Sequence, residues 1–361
     1  MRFLGGSSEG SSGIKLLFGI LGAVFSLALW MALTAGVSPI LDKVPSPFRV
    51  FTSYGELFNE NEALKNIGFS LGENISGYIE AILLVLPVGF VIGLFKYMRW
   101  GFKWQVDALR YVPLTALTLL FILWFGIWTP MKVHFLAFGI FIYLLPVMVQ
   151  RIDEVADVYL KTVHTLGATD WQVLKTVYLP SVLSRLFDDI RVLTAISWTY
   201  IIVAETMNSN QGGIGTVIYY AGQRQGRYDK IFALLIIIMI IGMIQDKIFM
   251  WLDREFFPFK YQASDSIKSS SIQGNEMLNV AINYAVMVFV WIGLGIYFIL
   301  MLCEYFPFFG GFKPLSYLFG DTTWLINCIV IALLLYKGIK WYRGRVDQMT
   351  LKSLGLKTTV S

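Results

Sequence analysis

Long apolar runs constrain this chain more than any other feature. Residues 16–37, 111–131 and 277–303 contain no charge, and each run reaches the roughly 20 residues that a helix needs to cross a bilayer. Only 15% of the residues are charged, against about 25% in ordinary globular domains. Five shorter runs are bounded by charges that can lie at the membrane surface: 75–95, 133–150, 186–207, 231–251 and 322–336. The sequence therefore predicts an all-α polytopic membrane protein with eight spans.

The basic residues predict the orientation of these spans. Lys and Arg accumulate in cytoplasmic loops, and eight spans with both termini inside place 20 basic residues in inside segments and 8 in outside segments. Run 16–37 could be a secretory signal peptide, but it is longer than a normal h-region and no A-x-A site follows it. We interpret it as a retained helix of a multi-pass protein of the bacterial cytoplasmic (inner) membrane. The charge pattern shows no basic block of the kind that binds nucleic acid.

Composition shifts divide the chain into five parts. Ser and Gly dominate residues 5–13, so residues 1–13 are predicted to be a disordered tail. Residues 14–258 hold six spans, and the polar, Ser-rich residues 259–276 form a linker. Residues 277–338 hold two further spans, which we expect to be peripheral, and residues 339–361 form a cytoplasmic tail.

One cytoplasmic connection, residues 151–185, is much longer than a hairpin requires, and we call it the coupling segment. Residues 153–165 suit an interfacial helix, and Gly167 can adopt the left-handed conformation that ends it. Thr169 and Gln172 fit a capping box for a second short helix. Its apolar face would be formed by Trp171, Leu174, Val177 and Tyr178, and Pro180 is expected to close it. An ordinary amphipathic surface helix is the alternative.

The coupling segment resembles the EAA loop of ABC importer permeases. Gly167, nine further residues and Val177-Tyr178-Leu179-Pro180 match its pattern, while Lys161-Thr162-Val163 stands where the family has Glu-Ala-Ala. Other motifs resemble permeases of the nitrate, sulfonate and taurine type, and the match covers roughly residues 14–258. These motifs are Val44-Pro45-Ser46-Pro47, Val112-Pro113-Leu114, the run from Ile122 to Ile127, Arg191, Val203-Ala204-Glu205 and Gly212-Gly213-Ile214-Gly215.

The resemblance implies a six-helix, type I-like permease core, here followed by two additional helices. It implies an ATPase contact at Lys161, Gly167, Ala168, Asp170, Trp171, Leu179 and Pro180. The implied partners are a cytoplasmic ABC ATPase dimer that holds ATP and Mg, an external solute-binding protein, and a second permease copy within the lipid bilayer. The chain itself would need no cofactor and have no catalytic residue, which agrees with its lack of a Gly-Lys dipeptide for a phosphate loop.

Five residues are candidates for the translocation pathway: Trp124, Gly126, Arg191, Trp198 and Glu205. Each candidate also has an interpretation without a role in transport. Trp124 and Gly126 could form an aromatic belt with close helix packing, Arg191 could extend its side chain to the membrane surface, and Glu205 could be an interfacial charge. Residues 212–215 are interpreted as an external turn.

Two other classes of protein are alternatives to an importer subunit. A secondary transporter driven by an ion gradient would place ionisable residues within the membrane and show inverted repeats, and a membrane-bound enzyme would show paired carboxylates or His/Cys clusters at one face. The sequence suggests neither. His134 and His164 are expected on opposite sides of the membrane, and Cys303 and Cys328 are expected to be free thiols.

Overall fold

The computed structural model describes residues 12–34, 43–209, 211–261, 276–306 and 313–353, which form helices with no strand among them. The predicted all-α class is confirmed for these residues. In chain order the helices are α1 Ser12–Leu33, α2 Pro47–Asn59, α3 Ala63–Leu94, α4 Lys96–Leu109, α5 Leu114–Phe125, α6 Thr129–Asp153, α7 Asp157–Thr165, α8 Asp170–Val173, α9 Leu179–Met207, α10 Ile214–Tyr219, α11 Tyr228–Phe256, α12 Glu276–Tyr305, α13 Pro314–Phe319 and α14 Thr323–Ser353. π-Helical turns follow α8 and α10, at Leu174–Tyr178 and Tyr220–Arg224, and a 3-10 turn, Gly320–Thr322, precedes α14.

The core lies where α3 packs against α6, with α9 alongside. Leu136, Ile140, Leu144 and Met148 recur at helical spacing on α6 and are buried. Small residues on α3 let α6 approach, since a Cβ on Gly77 would lie 2.8 Å from a Leu136 methyl carbon. Helices in lipid associate through close packing of this kind, because moving apolar surface from lipid into a helix contact gives little free energy.

Within the described part of the chain, four stretches of helix are long and apolar enough to cross a membrane: Ala63–Leu94, Thr129–Asp153, Tyr228–Phe256 and Pro314–Lys340. A fifth span results if α4 and α5, which are bent by 103° across a short break, are counted as one. Leu17–Leu33 and Trp291–Tyr305 are shorter apolar helices. Each of the eight predicted spans overlaps a helix, but eight crossings, and their division into six and two, stay a prediction.

Run 111–131 does not form one continuous helix. Its helix, α5, has 12 residues and is therefore about 18 Å long, well short of the roughly 30 Å of bilayer hydrocarbon. The helix ends at Gly126, whose φ is +73°, and α6 then begins at Thr129 with a proline in its first turn. The left-handed glycine ends one helix and the proline suits the start of the next. Neither breaks the apolar character of the run, so hydropathy did not reveal them.

The carboxy-terminal helices pack directly on the core. A Cβ on Gly68 of α3 would lie 2.2 Å from the backbone oxygen of Leu318, so only glycine allows this approach. Near the other end of the bundle, Lys337 of α14 forms an ion pair with Glu255 at 2.8 Å. These helices are thus attached by more than a linker. That they are peripheral to transport stays a prediction.

Three predicted boundaries fall at the edges of the described residues. Of the predicted tail 1–13, only residues 12 and 13 are described, and they are the first residues of α1. Of the predicted linker 259–276, residues 262–275 lie outside the described residues. Residues 339–353 of the predicted cytoplasmic tail are helical, because α14 continues to Ser353 through Lys, Arg, Gln and Leu residues that favour helix. The side of the membrane on which they lie stays a prediction.

Candidate functional site

The coupling segment contains two helices that meet at Gly167. The first, α7, covers Asp157–Thr165 and buries none of its residues. Gly167 has a φ of +76°, the left-handed conformation that ends helices and that other residues adopt at a cost. A Cβ at this position would meet nothing within 4 Å. The requirement for glycine therefore comes from the backbone conformation and not from lack of space.

The second helix begins with the predicted capping box. Thr169 is the N-cap of α8, and its backbone N–H donates to Gln172 Oε1 at 2.8 Å. The predicted apolar face is only partly present, because Val177 is buried whereas Trp171 is 70% exposed. Trp171 therefore points away from the core and belongs to the outer surface of the segment.

Pro180 does not close this helix, contrary to the prediction. Leu174–Tyr178 form a π-helical turn in which the Leu179 N–H donates to a carbonyl five residues back, and α9 continues to Met207. A π-helical turn tolerates a proline next to it, because the regular i→i−4 hydrogen bonds that the ring and the missing N–H of proline would disrupt are already interrupted there. The second half of the coupling segment and α9 are consequently one continuous helical element.

The coupling segment exposes a mixed apolar and charged surface. Large apolar side chains that lie mostly in solvent are Val158 (69% exposed), Tyr159 (61%), Leu166 (80%) and Trp171 (70%). Lys161 and Asp170 are exposed beside them, while Ala168, Leu179 and Pro180 are half-buried. An apolar patch rimmed by charges is typical of a surface that binds another protein.

Ion pairs attach the base of the coupling segment to α9. Arg151, at the end of α6, donates from Nε and Nη2 to the two carboxylate oxygens of Asp189, both at 2.8 Å. Its Nη1 donates to Glu154 at 2.7 Å, and this hydrogen bond holds the pKa of Glu154 below its usual value. Arg185 donates to the Glu154 backbone oxygen at 3.0 Å. A bidentate arginine with such neighbours fixes orientation, so the end of α6 and the start of α9 are held in one arrangement.

The candidate pathway residues lie in two places: Trp124 and Gly126 are at the end of α5, whereas Arg191, Trp198 and Glu205 are on α9. Arg191 pairs with Asp246 of α11, and Trp198 Nε1 donates to Gln245 Oε1 at 2.7 Å. Trp124, in contrast, is 66% exposed on α5. Two of the candidates therefore link α9 to α11, and their role in a pathway stays a prediction.

Glu205 lies in a buried charge cluster that the sequence analysis did not predict. We use this name for Glu73 of α3, Lys132 of α6 and Glu205 of α9, which are 2%, 0% and 0% exposed. Lys132 Nζ donates to Glu73 Oε1 at 2.9 Å. The interfacial reading of Glu205 is wrong, because tertiary packing brings three helices together around a carboxylate that the linear sequence places at a helix end.

The buried charge cluster also binds residues 212–215 into the protein, so these residues are not simply an external turn. Ile214 and Gly215 are buried, and Gly213 has a φ of +108°. The hydrogen bonds are Gly213 N to Asn66 Oδ1 (2.8 Å), Ile214 N to Ser70 Oγ (2.8 Å), Gly215 N to Glu205 Oε2 (2.6 Å), Ser70 Oγ to Glu205 Oε1 (2.6 Å) and Lys132 Nζ to Gly212 O (3.0 Å). Every one of these successive backbone amides is thus satisfied by a side chain of α3 or α9.

A sequence signal for this cluster existed. Lys132 is the only residue between the predicted spans 111–131 and 133–150, and one residue cannot turn a chain between two membrane helices. Lys132 therefore had to lie within a helix, where an ionisable side chain needs a partner. Glu73, two residues before another predicted span, was an available carboxylate.

The remaining histidine, cysteine and carboxylate positions form no further site in the described part of the chain. His134 Nδ1 lies 2.7 Å from Glu80 Oε1 on the neighbouring helix. Cys303 and Cys328 are free thiols, as predicted. Among the described residues no group of three His, Cys, Asp or Glu side chains is arranged to hold a metal ion.

Comparison with known proteins identifies the class to which the central part of the chain is similar. Residues 85–257 match the family of binding-protein-dependent transport system inner membrane components. This range contains the whole coupling segment together with Lys132 and Glu205, and it ends one residue before the predicted limit of the permease core. The predicted resemblance to ABC importer permeases is confirmed.

Individual relatives agree with this class at low identity. The taurine transport system permease protein of Escherichia coli is 24% identical over 68% of this chain and 90% of its own length. The nitrate import permease protein of Synechococcus elongatus is 23% identical over 64% of this chain and 86% of its own. A Bacillus subtilis protein assigned as an aliphatic sulfonates transport permease is 27% identical over 67% of this chain and 87% of its own.

Proposed function

We propose that this chain is the membrane-spanning permease subunit of an ATP-driven importer for a small organic or inorganic anion. The family match, the transport names of the relatives and the four or five apolar helices support a multi-pass permease. The anion class rests on the sulfonate, taurine and nitrate named for the relatives. Alternating access would be driven by ATP hydrolysis on a separate subunit.

The proposed assembly contains three kinds of partner. A cytoplasmic ABC ATPase pair holds ATP and Mg, an external solute-binding protein delivers the anion, and a second copy of this chain completes the pathway within the bilayer. One coupling segment per chain against two ATPase lobes favours a homodimer.

The surface of the coupling segment is the observation that carries this proposal. Its exposed Tyr159, Leu166 and Trp171 offer a docking patch, and Lys161 and Asp170 add charges at its rim. The continuous helix from α8 through α9 spans about 50 Å between Asp170 and Glu205. A displacement of the docked segment would therefore move a rigid element that reaches the opposite end of the bundle.

The proposal is tested by replacing Gly167 with a β-branched residue. Gly167→Val places a side chain at a φ of +76° in open space, so the turn should reorient while the core keeps its packing. We expect normal membrane insertion and at least a tenfold loss of co-purification with the ABC ATPase. Gly338→Val is the matched control, because a Cβ there also meets nothing within 4 Å and the backbone is helical.

Two results would contradict the proposal. ATPase association and anion uptake that are unchanged in Gly167→Val would remove the coupling segment from the mechanism. ATP hydrolysis by the purified chain without any partner would show that the chain carries its own nucleotide site.

A secondary transporter driven by an ion gradient is the second candidate. The buried charge cluster favours it, because ionisable side chains enclosed by membrane helices are typical of such transporters. Proteoliposomes separate the two candidates. Uptake that requires ATP and the ABC ATPase supports the importer, whereas uptake by this chain alone under an imposed proton or sodium gradient supports the secondary transporter.

A further inference from the structure

The buried charge cluster does not balance its charges when all three groups are ionised. Two carboxylates, Glu73 and Glu205, face one ammonium, Lys132, and all three side chains are excluded from solvent. A net buried charge is expensive in a medium of low dielectric constant unless it is neutralised. The cluster therefore lacks one positive charge.

The hydrogen bonds locate where that charge is missing. Both oxygens of Glu205 accept a hydrogen bond, since Ser70 donates to one and the Gly215 N–H to the other, both at 2.6 Å. Glu73 Oε1 accepts from Lys132, but Glu73 Oε2 is buried and has no donor. The carboxyl groups of Glu73 and Glu205 are neighbours inside the cluster and interact electrostatically with each other. Two ionised carboxylates placed in this way would repel each other.

We propose that the buried charge cluster is a proton-binding site, in which Glu73 Oε2 carries one proton and shares it with Glu205. The proton makes the cluster neutral, turns the orphan oxygen into a donor and converts the repulsive pair into a hydrogen bond. The ligand of the site is a proton from water. This inference does not rest on the importer function, because charge, burial and hydrogen bonding carry it.

The charged groups that face Glu73 come from three elements. Lys132 of α6 and Glu205 of α9 contact it directly, and Asp321, in the turn before α14, lines the same cavity of about 210 Å³. Asp321 accepts from the Thr129 hydroxyl at 3.2 Å and is exposed, so solvent stabilises its charge and it needs no proton. Among the described residues, no basic side chain lines this cavity to replace the proton.

The proton has a structural consequence for residues 212–215. Loss of the proton would leave two carboxylates on one lysine and weaken the contacts of Glu205 with Gly215 and of Lys132 with Gly212. Residues 211–215 should then separate from α3 more often. Alkaline conditions on the side of the membrane that faces these residues would favour that opening.

Difference infrared spectroscopy tests the proton directly. The protein in lipid at neutral pH should show the C=O stretching band of a protonated carboxyl group. This band should disappear in Glu73→Gln, and also in Glu205→Gln, where the remaining Glu73 carboxylate is balanced by Lys132. Glu56→Gln is the control that should keep the band, because Glu56 is only half-buried and its ion pair with Arg227 favours the ionised form. A band that is absent from the wild-type protein, or that survives either cluster substitution, would overturn the proposal.

A second measurement starts from the intact cluster, so its first result does not require a cluster variant to fold. The native cysteines are first removed by Cys303→Ser and Cys328→Ser. The rate of maleimide labelling is then measured for Gln211→Cys and divided by the rate for Lys313→Cys, so that the pH dependence of the thiol itself cancels. The ratio should rise with pH, by up to about tenfold per pH unit once the proton is lost. It should stay flat in the Glu73→Gln protein, and a ratio that is flat without this substitution would overturn the role of the proton in holding residues 212–215.

Discussion

The two ends of the helix that runs from Asp170 to Met207 are built in opposite ways. At the coupling segment, charges are exposed or form half-exposed pairs, and apolar side chains such as Trp171 point outward. At the far end, Glu205 is fully enclosed, and Ile201 and Ala204 are buried with it. One end thus has the composition of a docking surface, whereas the other has the composition of a sealed core with charges inside it.

This difference predicts which end of the helix should tolerate substitutions. Exposed charges keep most of their hydration, so their loss costs little in stability and acts mainly on binding. Buried charges depend wholly on their partners, so their loss acts on folding first. Substitutions at the coupling segment should therefore separate association from stability, while substitutions in the buried charge cluster should not.

The largest effect is expected for Lys132→Met. This change removes the only cation from a buried cluster and leaves the Glu73 and Glu205 carboxyl groups without it, which should cost about 3–5 kcal/mol. Lys65→Met is the control, because Lys65 pairs with Glu62 at the surface at 2.9 Å and such pairs contribute about 0–1 kcal/mol. The unfolding midpoint of each variant is measured by heating the protein in detergent and determining the folded fraction by size-exclusion chromatography. Equal midpoints for the two variants would mean that the cluster is not the stabilising core described above.

A smaller effect is expected at Gly213, and it sharpens the contrast with an open glycine. Gly213→Ala combines a φ of +108° with a Cβ that would lie 2.3 Å from the Glu205 carboxyl carbon, so a loss of about 3 kcal/mol is expected. Gly226→Ala shares the positive φ, +64°, but its Cβ meets nothing within 4 Å. It should cost only about 1 kcal/mol. A cost at Gly226 that matches the cost at Gly213 would show that backbone strain alone, and not contact with the buried charge cluster, makes Gly213 necessary.

Truncation after Phe259 should have a moderate effect that is confined to stability. It removes the helix that packs on Gly68 and the lysines that pair with Glu255, but it leaves the coupling segment whole. The unfolding midpoint should fall while co-purification with the ABC ATPase persists. Insertion of the truncated chain without any ATPase association would show that the carboxy-terminal helices belong to the transport core.

The sequence predicted what depends on local chemistry. Helix positions followed from apolar runs, and the turn at Gly167 and the capping box at Thr169 followed from residues within a few positions of each other. The continuation of helix through Pro180 was missed, because a π-helical turn depends on how the neighbouring helices hold the backbone. The break at Gly126 was missed because hydropathy does not register turns.

The buried charge cluster was missed for a different reason. Glu73, Lys132 and Glu205 are separated by 59 or more residues along the chain, and only the packing of α3, α6 and α9 brings them together. A single sequence contains no direct record of such pairing. The one usable signal was geometric, since Lys132 stands alone between two runs that were both interpreted as spans.

The smallest effect is expected for Lys161→Glu, and it concerns the docking surface alone. Lys161 is exposed on α7 and stands at the position of the glutamate in the EAA pattern that the coupling segment resembles. The ATPase of the proposed importer should therefore present an acidic side chain to it. Charge reversal should leave the unfolding midpoint unchanged and lower anion-stimulated ATPase activity severalfold. Because exposed charges are screened within about 10 Å at 0.1 M salt, the difference from wild type should shrink as salt is added. Lys103→Glu makes the same charge change on an exposed part of α4, outside the coupling segment, and should have no effect. A loss of activity that is the same in both variants, or that does not respond to salt, would show that Lys161 makes no specific contact with the ATPase.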